Sequence, residues 1–412
     1  MTNQNVATLS SSNRGPLAGI RVIDMATVVM GPYAAQVLGD LGADVIKIES
    51  PHDTIRSGLY AKTPGMTSLH LNVNRNKRSV ALNLKSEEGH AAALELIGSA
   101  DILISNMRID ALRRLGMDYE SLSAKFPKLI YVHAQGFRPD SDRAGLAAYD
   151  ETVQAASGLL DIAQRAADIE KPAVLPTIIA DKVSALTMAY SAIAALVHQQ
   201  KTGQGQKVEV PMTDTMLAFN LVEHLQGQAF VPALSQTGFP NSLMKGHYAR
   251  PTKDGGLVMV IPYGPQNFRD LFVAAGRPEL AEDPRVNGEF IDVRADGNDL
   301  SALLDEVVPR LSTEEWAEVC LSKSIPFGPV LRLDDAMDDE YVQGGHLLDV
   351  AEHPSEGPIR MIGVPMQFSA TPPSIRRHAP LPGADTEEVL AELAAAKDSE
   401  LTNDAELAGA IA

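Results

Sequence analysis

Short apolar runs alternate with amphipathic stretches through the first half of the chain. The apolar runs predict strands at 19–24, 44–49, 79–84, 101–105, 129–132 and 206–210. Apolar residues at helical spacing predict helices at 32–41, 86–99 and 182–200. Strands and helices in this order need crossover connections, which give a parallel sheet. The pattern therefore predicts an α/β fold with a large doubly wound, Rossmann-like domain.

The pattern changes after about residue 222. Gly, Pro, Asn and Ser are frequent at 226–256, a strand is expected at 256–261, and helices are expected at 265–275, 300–311 and 313–322. A Pro-rich return at 354–382 leads to a last helix at 386–396. We expect residues 1–222 to form the large domain, 223–335 a linker and a smaller α/β domain, and 336–412 a return linker and the rest of the large domain. Residues 1–15 and the acidic tail after 396 read as loose ends.

Asp181 ends the apolar run Ile178-Ile179-Ala180 and precedes the predicted helix at 182–200. The apolar positions of that helix are Val183, Leu186, Tyr190, Ile193 and Val197. We expect Asp181 to be the N-cap and to stay ionised, because a helix start offers N–H donors and a positive dipole end. An ionised carboxylate in a cleft is able to attack an activated acyl group. The alternative is that Asp181 only caps the helix.

Composition and charge narrow the class of partner. The net charge of −18 disfavours nucleic acid as a partner. One cysteine, Cys320, excludes an internal disulfide and suits a reducing compartment. The start of the chain lacks a secretory pattern, and we see no apolar run long enough to span a membrane. We therefore expect a cytoplasmic protein without a membrane partner.

A basic cluster stands out in this acidic chain. Its members are Arg75, Lys77, Arg78, Arg108, Arg113 and Arg114. Each could be a solvated surface charge, but as a set beside predicted strand ends they favour binding of phosphate groups. No Gly-x-Gly-x-x-Gly sequence follows the first strand, which disfavours a nicotinamide cofactor. The histidines lack the spacing of metal ligands, so we expect no metal.

Ordered matches along the chain resemble one family. They include Pro16–Asp24, Gly31-Pro32-Tyr33, Leu41–Glu49, Asn74–Ser79, Leu82–Ser86, Asn106-Met107-Arg108, Leu115–Tyr119, Gln135-Gly136-Phe137, Tyr149-Asp150, Asp181, Thr202–Gln206 and Ile325–Val330. In this order the chain resembles the class III CoA-transferases, which include formyl-CoA and carnitine CoA-transferases. The resemblance is strong over about residues 16–220 and weaker to about 385. It implies a transferase with coenzyme A as substrate, an acyl-CoA donor, a carboxylic acid acceptor and an interlocked homodimer.

The resemblance also implies a site. Asp181 falls on the family's nucleophilic aspartate, which would form acyl anhydrides and an aspartyl-CoA thioester without ATP. Positions matching Lys77, Asn106 and Arg114 contact coenzyme A in the family. We expect the full coenzyme A set to be Val29, Met30, Arg75, Lys77, Arg78, Asn106, Met107, Arg108, Arg114 and Gln135. The acyl group is expected against Phe137, Tyr149 and Asp150.

Two alternatives remain open. The α-methylacyl-CoA racemases share the fold, but they carry a histidine where this chain has Tyr149, and a phenol is a poor base at neutral pH. The second alternative is a coenzyme A-binding protein without activity. The chain also departs from formyl-CoA transferases: Ile261–Gln266 lacks their glycine run, Val29 and Met30 replace a glutamine and an alanine, and Gln135 replaces a lysine. Oxalate and formate chemistry are therefore not implied, and a larger, less polar acid would suit Val29 and Met30.

Overall fold

The chain folds into two compact units. The computed structural model describes residue 9 and residues 15–51, 60–167 and 170–397. Among the described residues, the first unit takes in those up to 156, 177–216 and 340–397, and the second takes in those of 157–176 and 217–339. The expected boundaries at 222 and 335 thus lie a few residues from the structural ones, and 157–176, expected in the large domain, lies in the second unit. The expected loose ends fall almost entirely outside the described residues.

A six-stranded parallel sheet forms the centre of the first unit. Its strands are β1 (Arg21–Asp24), β2 (Asp44–Glu49), β3 (Lys77–Ala81), β4 (Ile102–Ser105), β5 (Ile130–Gln135) and β6 (Lys207–Pro211). Their order is β3-β2-β1-β4-β5-β6, and every neighbouring pair is parallel. This is the doubly wound order, in which the direction of winding reverses between β1 and β4 and leaves a crevice at the carboxyl ends of the strands. The expected α/β fold is confirmed.

Helices complete the first unit. They are α1 (Met30–Asp40), α2 (Ser68–Val73), α3 (Glu87–Gly98), α4 (Ile109–Arg114), α5 (Tyr119–Lys125), α6 (Asp150–Ala156), α8 (Ile179–Thr202) and α13 (Glu340–Gly344), with a further helical stretch at 386–397. A hairpin of β10 (Leu348–His353) and β11 (Gly357–Ile362) lies in the returning segment. One face of the sheet buries side chains such as Ile23, Ile46 and Leu103 with Leu96 of α3. Continuous apolar strands of this kind are typical of a parallel sheet covered by helices.

The second unit has its own core. It contains α7 (Leu159–Ala167), α10 (Pro265–Ala274), α11 (Val293–Val307), α12 (Thr313–Lys323) and a three-stranded sheet of β7 (Arg250–Pro251), β8 (Leu257–Val260) and β9 (Phe327–Pro329). Helix α9 (Met212–His224) begins in the first unit and continues into the second. Phe272, Leu300 and Trp316 are fully buried together, and the Trp316 ring N–H donates to the Val308 carbonyl at 2.8 Å.

Helix α8 differs from its sequence expectation in two ways. It begins at Ile179 with Ile178 as N-cap, so Asp181 is the third residue of the helix, and the expectation of an Asp181 N-cap was wrong. Its buried face consists mostly of small residues, together with Met188 and Leu196, because tight packing on α1 favours small side chains. Leu186, Tyr190 and Val197, three of the apolar positions that predicted the helix, are exposed.

The length and composition of α8 also bear on membranes. Within the described residues, α8 is long and apolar enough to cross a membrane on those two criteria alone, which departs from the sequence expectation. The buried core helix of a globular domain meets the same criteria, and 44% of the most apolar window of α8 is buried inside the fold.

Candidate active site

A large cavity opens at the carboxyl ends of β1 to β4. Its volume is about 1030 Å³, at the upper end of the range for ligand pockets. Its walls come from the loop after β1, the loop after β3, and helices α3 and α4. Polar and charged residues of the wall include Lys47, Glu49, His70, Asn74, Asn83, Lys85, Ser86, His90 and Arg114. The cavity therefore lies where doubly wound sheets bind ligands.

Two exposed cations mark one side of this cavity. Arg114 ends α4 and Lys85 follows β3, and both line the cavity. Within the described part of the chain, neither side chain pairs with a carboxylate. His90 of α3 is anchored by a ring N–H that donates to the Leu115 carbonyl at 2.6 Å. Two unpaired cations in a cavity suit phosphate groups of a ligand.

Lys85 was not among the expected site residues. The signal that would have found it is its position, since it directly follows the predicted strand at 79–84 and strand ends of this kind face the crevice. The neighbouring Asn83 and Ser86 also line the cavity, and Ser86 caps α3 through its hydroxyl oxygen.

The structure separates the expected basic cluster into buried, ion-paired members and members on or near α4. The guanidinium of Arg75 binds Asp40, and that of Arg78 binds Asp44 and Glu392. Lys77 is fully buried against Asp24. All three are buried and none lines the cavity. The expectation that free cations bind phosphate groups therefore does not apply to these three residues. Phosphate binding was expected from the set of cations beside predicted strand ends; their carboxylate partners are distant in sequence and were not foreseen.

The other expected arginines lie on or near α4. Arg108 is the N-cap residue of α4 and is exposed, while Arg113 lies near Asp110, with 3.7 Å between Nη1 and Oδ1. Neither lines the cavity, so Arg114 is the one member of the basic cluster that does; the expected residue Met107, in the loop before α4, also lines it.

The loop between β1 and α1 connects the cavity to Asp181. Thr27 and Val28 line the cavity, and the backbone N–H of Met30 faces the carboxylate of Asp181 and lowers its pKa. The Asn106 side chain holds this loop, since it accepts from the Thr27 N–H and donates to the Thr27 carbonyl, both at 2.9 Å. In this structure Asn106 therefore holds the β1–α1 loop in place.

Val29 and Met30 were expected to contact the ligand through their side chains. Both side chains are buried, at 4% and 3% exposure, and neither lines the cavity. Their contribution is the backbone of the loop, and the suggestion that they favour an apolar acid loses its support.

Asp181 itself is half-buried in the first turn of α8. Burial raises the pKa of its carboxyl to about 6, the charges of Asp150 and Glu151 add to this rise, and the Met30 N–H opposes it. The carboxyl is therefore mostly ionised at neutral pH but more basic than an ordinary aspartate. The helix start was expected to keep Asp181 ionised; its pKa is nevertheless raised, because burial and neighbouring charge outweigh the N–H donor.

Asp150 supplies the cap that α8 lacks. Ile178, the N-cap residue, makes no side-chain cap bond. Asp150 Oδ1 instead accepts from the backbone N–H groups of Ala180 and Asp181, at 2.6 and 3.1 Å. The Gln154 amide donates to Asp150 Oδ2 at 2.5 Å and to the Thr177 carbonyl at 3.2 Å. Asp150 is buried, so its role in the structure is to fix the start of the helix that carries Asp181.

The remaining expected residues lie on neighbouring elements of the first unit. Gln135 ends β5 and Phe137 follows it, both half-buried. Tyr149 directly precedes α6 and is 70% exposed. None of the three lines the cavity. Among the described residues no group of three His, Cys, Asp or Glu side chains is arranged to hold a metal ion.

Comparison with known proteins decides the family. The model of CoA-transferase family III matches residues 17–386. The chain belongs to CoA-transferase family III. Its match to family III spans both units, and the expected resemblance to class III CoA-transferases is confirmed.

Named relatives in family III support a transferase. The chain is 30% identical to succinate–glutarate CoA-transferase of Agrobacterium fabrum, over 93% of this chain and 96% of the relative. It is 32% identical to acetyl-CoA:oxalate CoA-transferase of Acetobacter aceti, over 88% and 91%. Among solved structures, a CAIB/BAIF family protein from Brucella suis aligns with a TM-score of 0.78 and 27% identity, over 92% of this chain and all of that one. This family III chain is therefore a CoA-transferase.

Proposed function

We propose that the chain transfers coenzyme A from an acyl-CoA donor to a carboxylic acid through covalent intermediates on Asp181. The observation that carries this proposal is the placement of Asp181. Its half-buried carboxylate faces the Met30 N–H, which belongs to the same loop as Thr27 and Val28 of the cavity wall. A carboxylate with a pKa of about 6 is both ionised and nucleophilic at neutral pH.

The first half of the reaction loads the enzyme. A carboxylate oxygen of Asp181 attacks the thioester carbonyl of the donor, the C–S bond breaks, and coenzyme A leaves as a thiolate. This gives an anhydride between Asp181 and the donor acid. The thiolate then attacks the Asp181 carbonyl carbon, the donor acid leaves as a carboxylate, and an aspartyl-CoA thioester remains.

The second half reverses these steps with a new acid. The acceptor carboxylate attacks the aspartyl thioester and expels the thiolate, which forms a second anhydride. The thiolate attacks the acceptor carbonyl, the new acyl-CoA forms, and Asp181 is released as a carboxylate. Each step exchanges activated acyl groups of similar energy, so ATP has no part in it. The Met30 N–H, which faces Asp181, would donate to oxygen on the Asp181 carbonyl as negative charge develops there.

Coenzyme A is proposed to lie in the large cavity. Lys85 and Arg114 would bind its phosphate groups, and its thiol end would approach the β1–α1 loop. The acyl and acceptor acids are proposed to meet Asp181 near Phe137 and Tyr149. The relatives' names include oxalate, succinate and glutarate as acids, so small carboxylic acids are the first candidates to assay.

The direct test uses Asp181→Ala and Asp181→Asn. Both should keep the affinity for coenzyme A but lose transfer by several orders of magnitude, because we expect no other residue to carry the acyl group in place of Asp181. Activity within tenfold of wild type in either variant would overturn the proposal.

A racemase is the second candidate, because a carboxyl with a pKa of about 6 also suits proton transfer. It predicts deuterium exchange at C2 of a 2-methylacyl-CoA in heavy water. We expect no exchange at catalytic rates, since exposed Tyr149 stands where the racemases carry histidine. An inactive coenzyme A-binding protein would show neither reaction with any pair of acids.

We also propose a cytoplasmic homodimer. Exposed Leu186, Tyr190 and Val197 form an apolar stripe along α8, which a second chain would cover. Light scattering at micromolar concentration should give twice the monomer mass, and Leu186→Glu with Tyr190→Glu should lower it. A monomeric wild type would contradict the homodimer, and secretion of the native protein would contradict the cytoplasmic location.

A further inference from the structure

A buried charge cluster lies beneath the β1–α1 loop. Asp24, at the end of β1, is completely buried. Its Oδ2 accepts from Lys77 Nζ at 2.8 Å and from Lys47 Nζ at 3.3 Å. Burial alone would raise the pKa of Asp24, but the two ammonium groups hold it below its ordinary value. The three residues therefore form one buried, ion-paired cluster inside the unit.

The lysines also hold the backbone of the loop. Lys47 Nζ donates to the Ala26 carbonyl and Lys77 Nζ donates to the Pro32 carbonyl, both at 2.7 Å. Asp24 Oδ1 accepts from the Ala26 N–H at 2.9 Å. The cluster thus grips both ends of the segment 26–32, which contains Met30.

The backbone of the segment 26–32 is strained at one residue. Val28 has a φ of 67°, in the left-handed region where a β-branched residue is a genuine outlier. Such a conformation persists only where the surroundings fix it on several sides. Here the fixing contacts are the cluster at both ends and the double hydrogen bond between Asn106 and Thr27.

We propose that Asp24, Lys47 and Lys77 are positioning residues that hold the segment 26–32 so that the Met30 N–H faces Asp181. This inference rests on the proposed role of Asp181. A buried ion cluster adds little net stability compared with apolar packing, because desolvation offsets the attraction of the charges. Fixing the geometry of a strained loop is a role that apolar side chains would not fill, since they donate no hydrogen bonds to the Ala26 and Pro32 carbonyls.

The first test is hydrogen exchange of the full chain without substrate. Lys77→Met removes the hydrogen bond to the Pro32 carbonyl, so amide exchange should become faster in the peptide that covers 25–33. The matched control is Arg250→Met in the second unit. Arg250 is also a buried cation, bonded to Asp305 at 2.6 Å and to the Ser301 carbonyl at 2.8 Å. The control should leave exchange at 25–33 unchanged.

The second test measures the reaction. In Lys77→Met, kcat should fall on the order of 10²-fold, because small misplacements at a reacting group cost that much. KM for the acyl-CoA should change less. The acid limb of the kcat profile should move to higher pH, since loss of the Met30 N–H removes the contact that lowers the Asp181 pKa. Arg250→Met should keep the wild-type profile.

Two further variants keep the test decisive if Lys77→Met folds poorly. Asp24→Asn with Lys77→Met removes one charge of each sign and should show the same exchange and the same profile. Adding Val28→Gly should restore part of kcat, because glycine adopts a positive φ without strain and the loop then needs less holding.

The outcomes separate this inference from the proposed function. Unchanged hydrogen exchange at 25–33 in both Lys77 variants would overturn the claim that the charge cluster holds the segment 26–32 in place. Faster exchange with an unchanged kcat and pH profile would overturn the positioning role. Neither result bears on whether Asp181 carries the acyl group, which the Asp181 variants test alone.

Discussion

The carboxylate of Asp150 accepts a hydrogen bond from the backbone N–H of Asp181 at 3.1 Å. Its negative charge adds to burial in raising the pKa of the Asp181 side chain. One residue therefore both caps the helix that carries Asp181 and makes the Asp181 carboxylate more basic. Both effects favour a nucleophile that is fixed in direction and ionised at neutral pH.

The raised pKa of Asp181 predicts how kcat changes on the acid side of its pH profile. Since the nucleophile must be ionised, kcat should fall as the pH drops through about 6. Asp150→Asn keeps an acceptor oxygen for the helix start but removes the charge, so the limb should move to lower pH. Glu151→Gln is the matched control and should move it less, because Glu151 contributes the smaller charge effect. A limb that stays in place in Asp150→Asn would contradict the assigned cause.

Asp181 should also lower the stability of the enzyme at neutral pH. Its folded pKa of about 6 lies above its ordinary value of 3.8. The folded state therefore binds more protons between these values, so stability falls as the pH rises from about 4 to 6. We expect Asp181→Asn to gain about 1–3 kcal/mol at pH ~7.5 and to lose this gain near pH ~4.

Thermal unfolding at the two pH values checks this stability effect. The control is Asp110→Asn, an exposed carboxylate on α4, which should change stability by less than about 0.5 kcal/mol. An Asp181→Asn variant that is less stable than wild type at neutral pH would contradict the raised pKa.

Coenzyme A affinity should depend on the two exposed cations of the cavity. Lys85→Ala and Arg114→Ala should each weaken binding by about 1–3 kcal/mol in calorimetry, as loss of a charge-assisted hydrogen bond does. Arg113→Ala is the matched control, because Arg113 is next in sequence but lies outside the cavity wall. Equal losses for Arg113→Ala and Arg114→Ala would argue against the proposed seat of coenzyme A.

Much of the fold could be predicted from local pattern. The strands of the parallel sheet are short apolar runs, so β2 was expected at its observed bounds, Asp44–Glu49, and β4 within one residue. The start of α8 was misplaced because its cap, Asp150, comes from another element 31 residues before Asp181. A pattern read along one segment does not contain such a partner.

The basic cluster failed as a set for the same reason. Asp40 lies 35 residues from Arg75, and Glu392 lies 314 residues from Arg78. The sequence indicates a cation but not whether the fold supplies a carboxylate to it. Arg114 could be found because it belongs to the cations that follow β4 along the chain, and Lys85, which follows β3, could have been found in the same way. The strained Val28 gives no local signal, since valine is not a residue that predicts a positive φ.

Transfer of isotopically heavy oxygen tests the central claim most directly. The acceptor acid is labelled in its carboxylate, incubated with enzyme and an acyl-CoA donor over many turnovers, and the enzyme is digested for mass spectrometry. If the acceptor forms an anhydride with Asp181, one labelled oxygen stays on Asp181 when the thiolate takes the acyl group. We predict label in the Asp181 side chain, and none without donor or in Asp181→Asn. Turnover without label in Asp181, or label in a different carboxylate, would contradict the account.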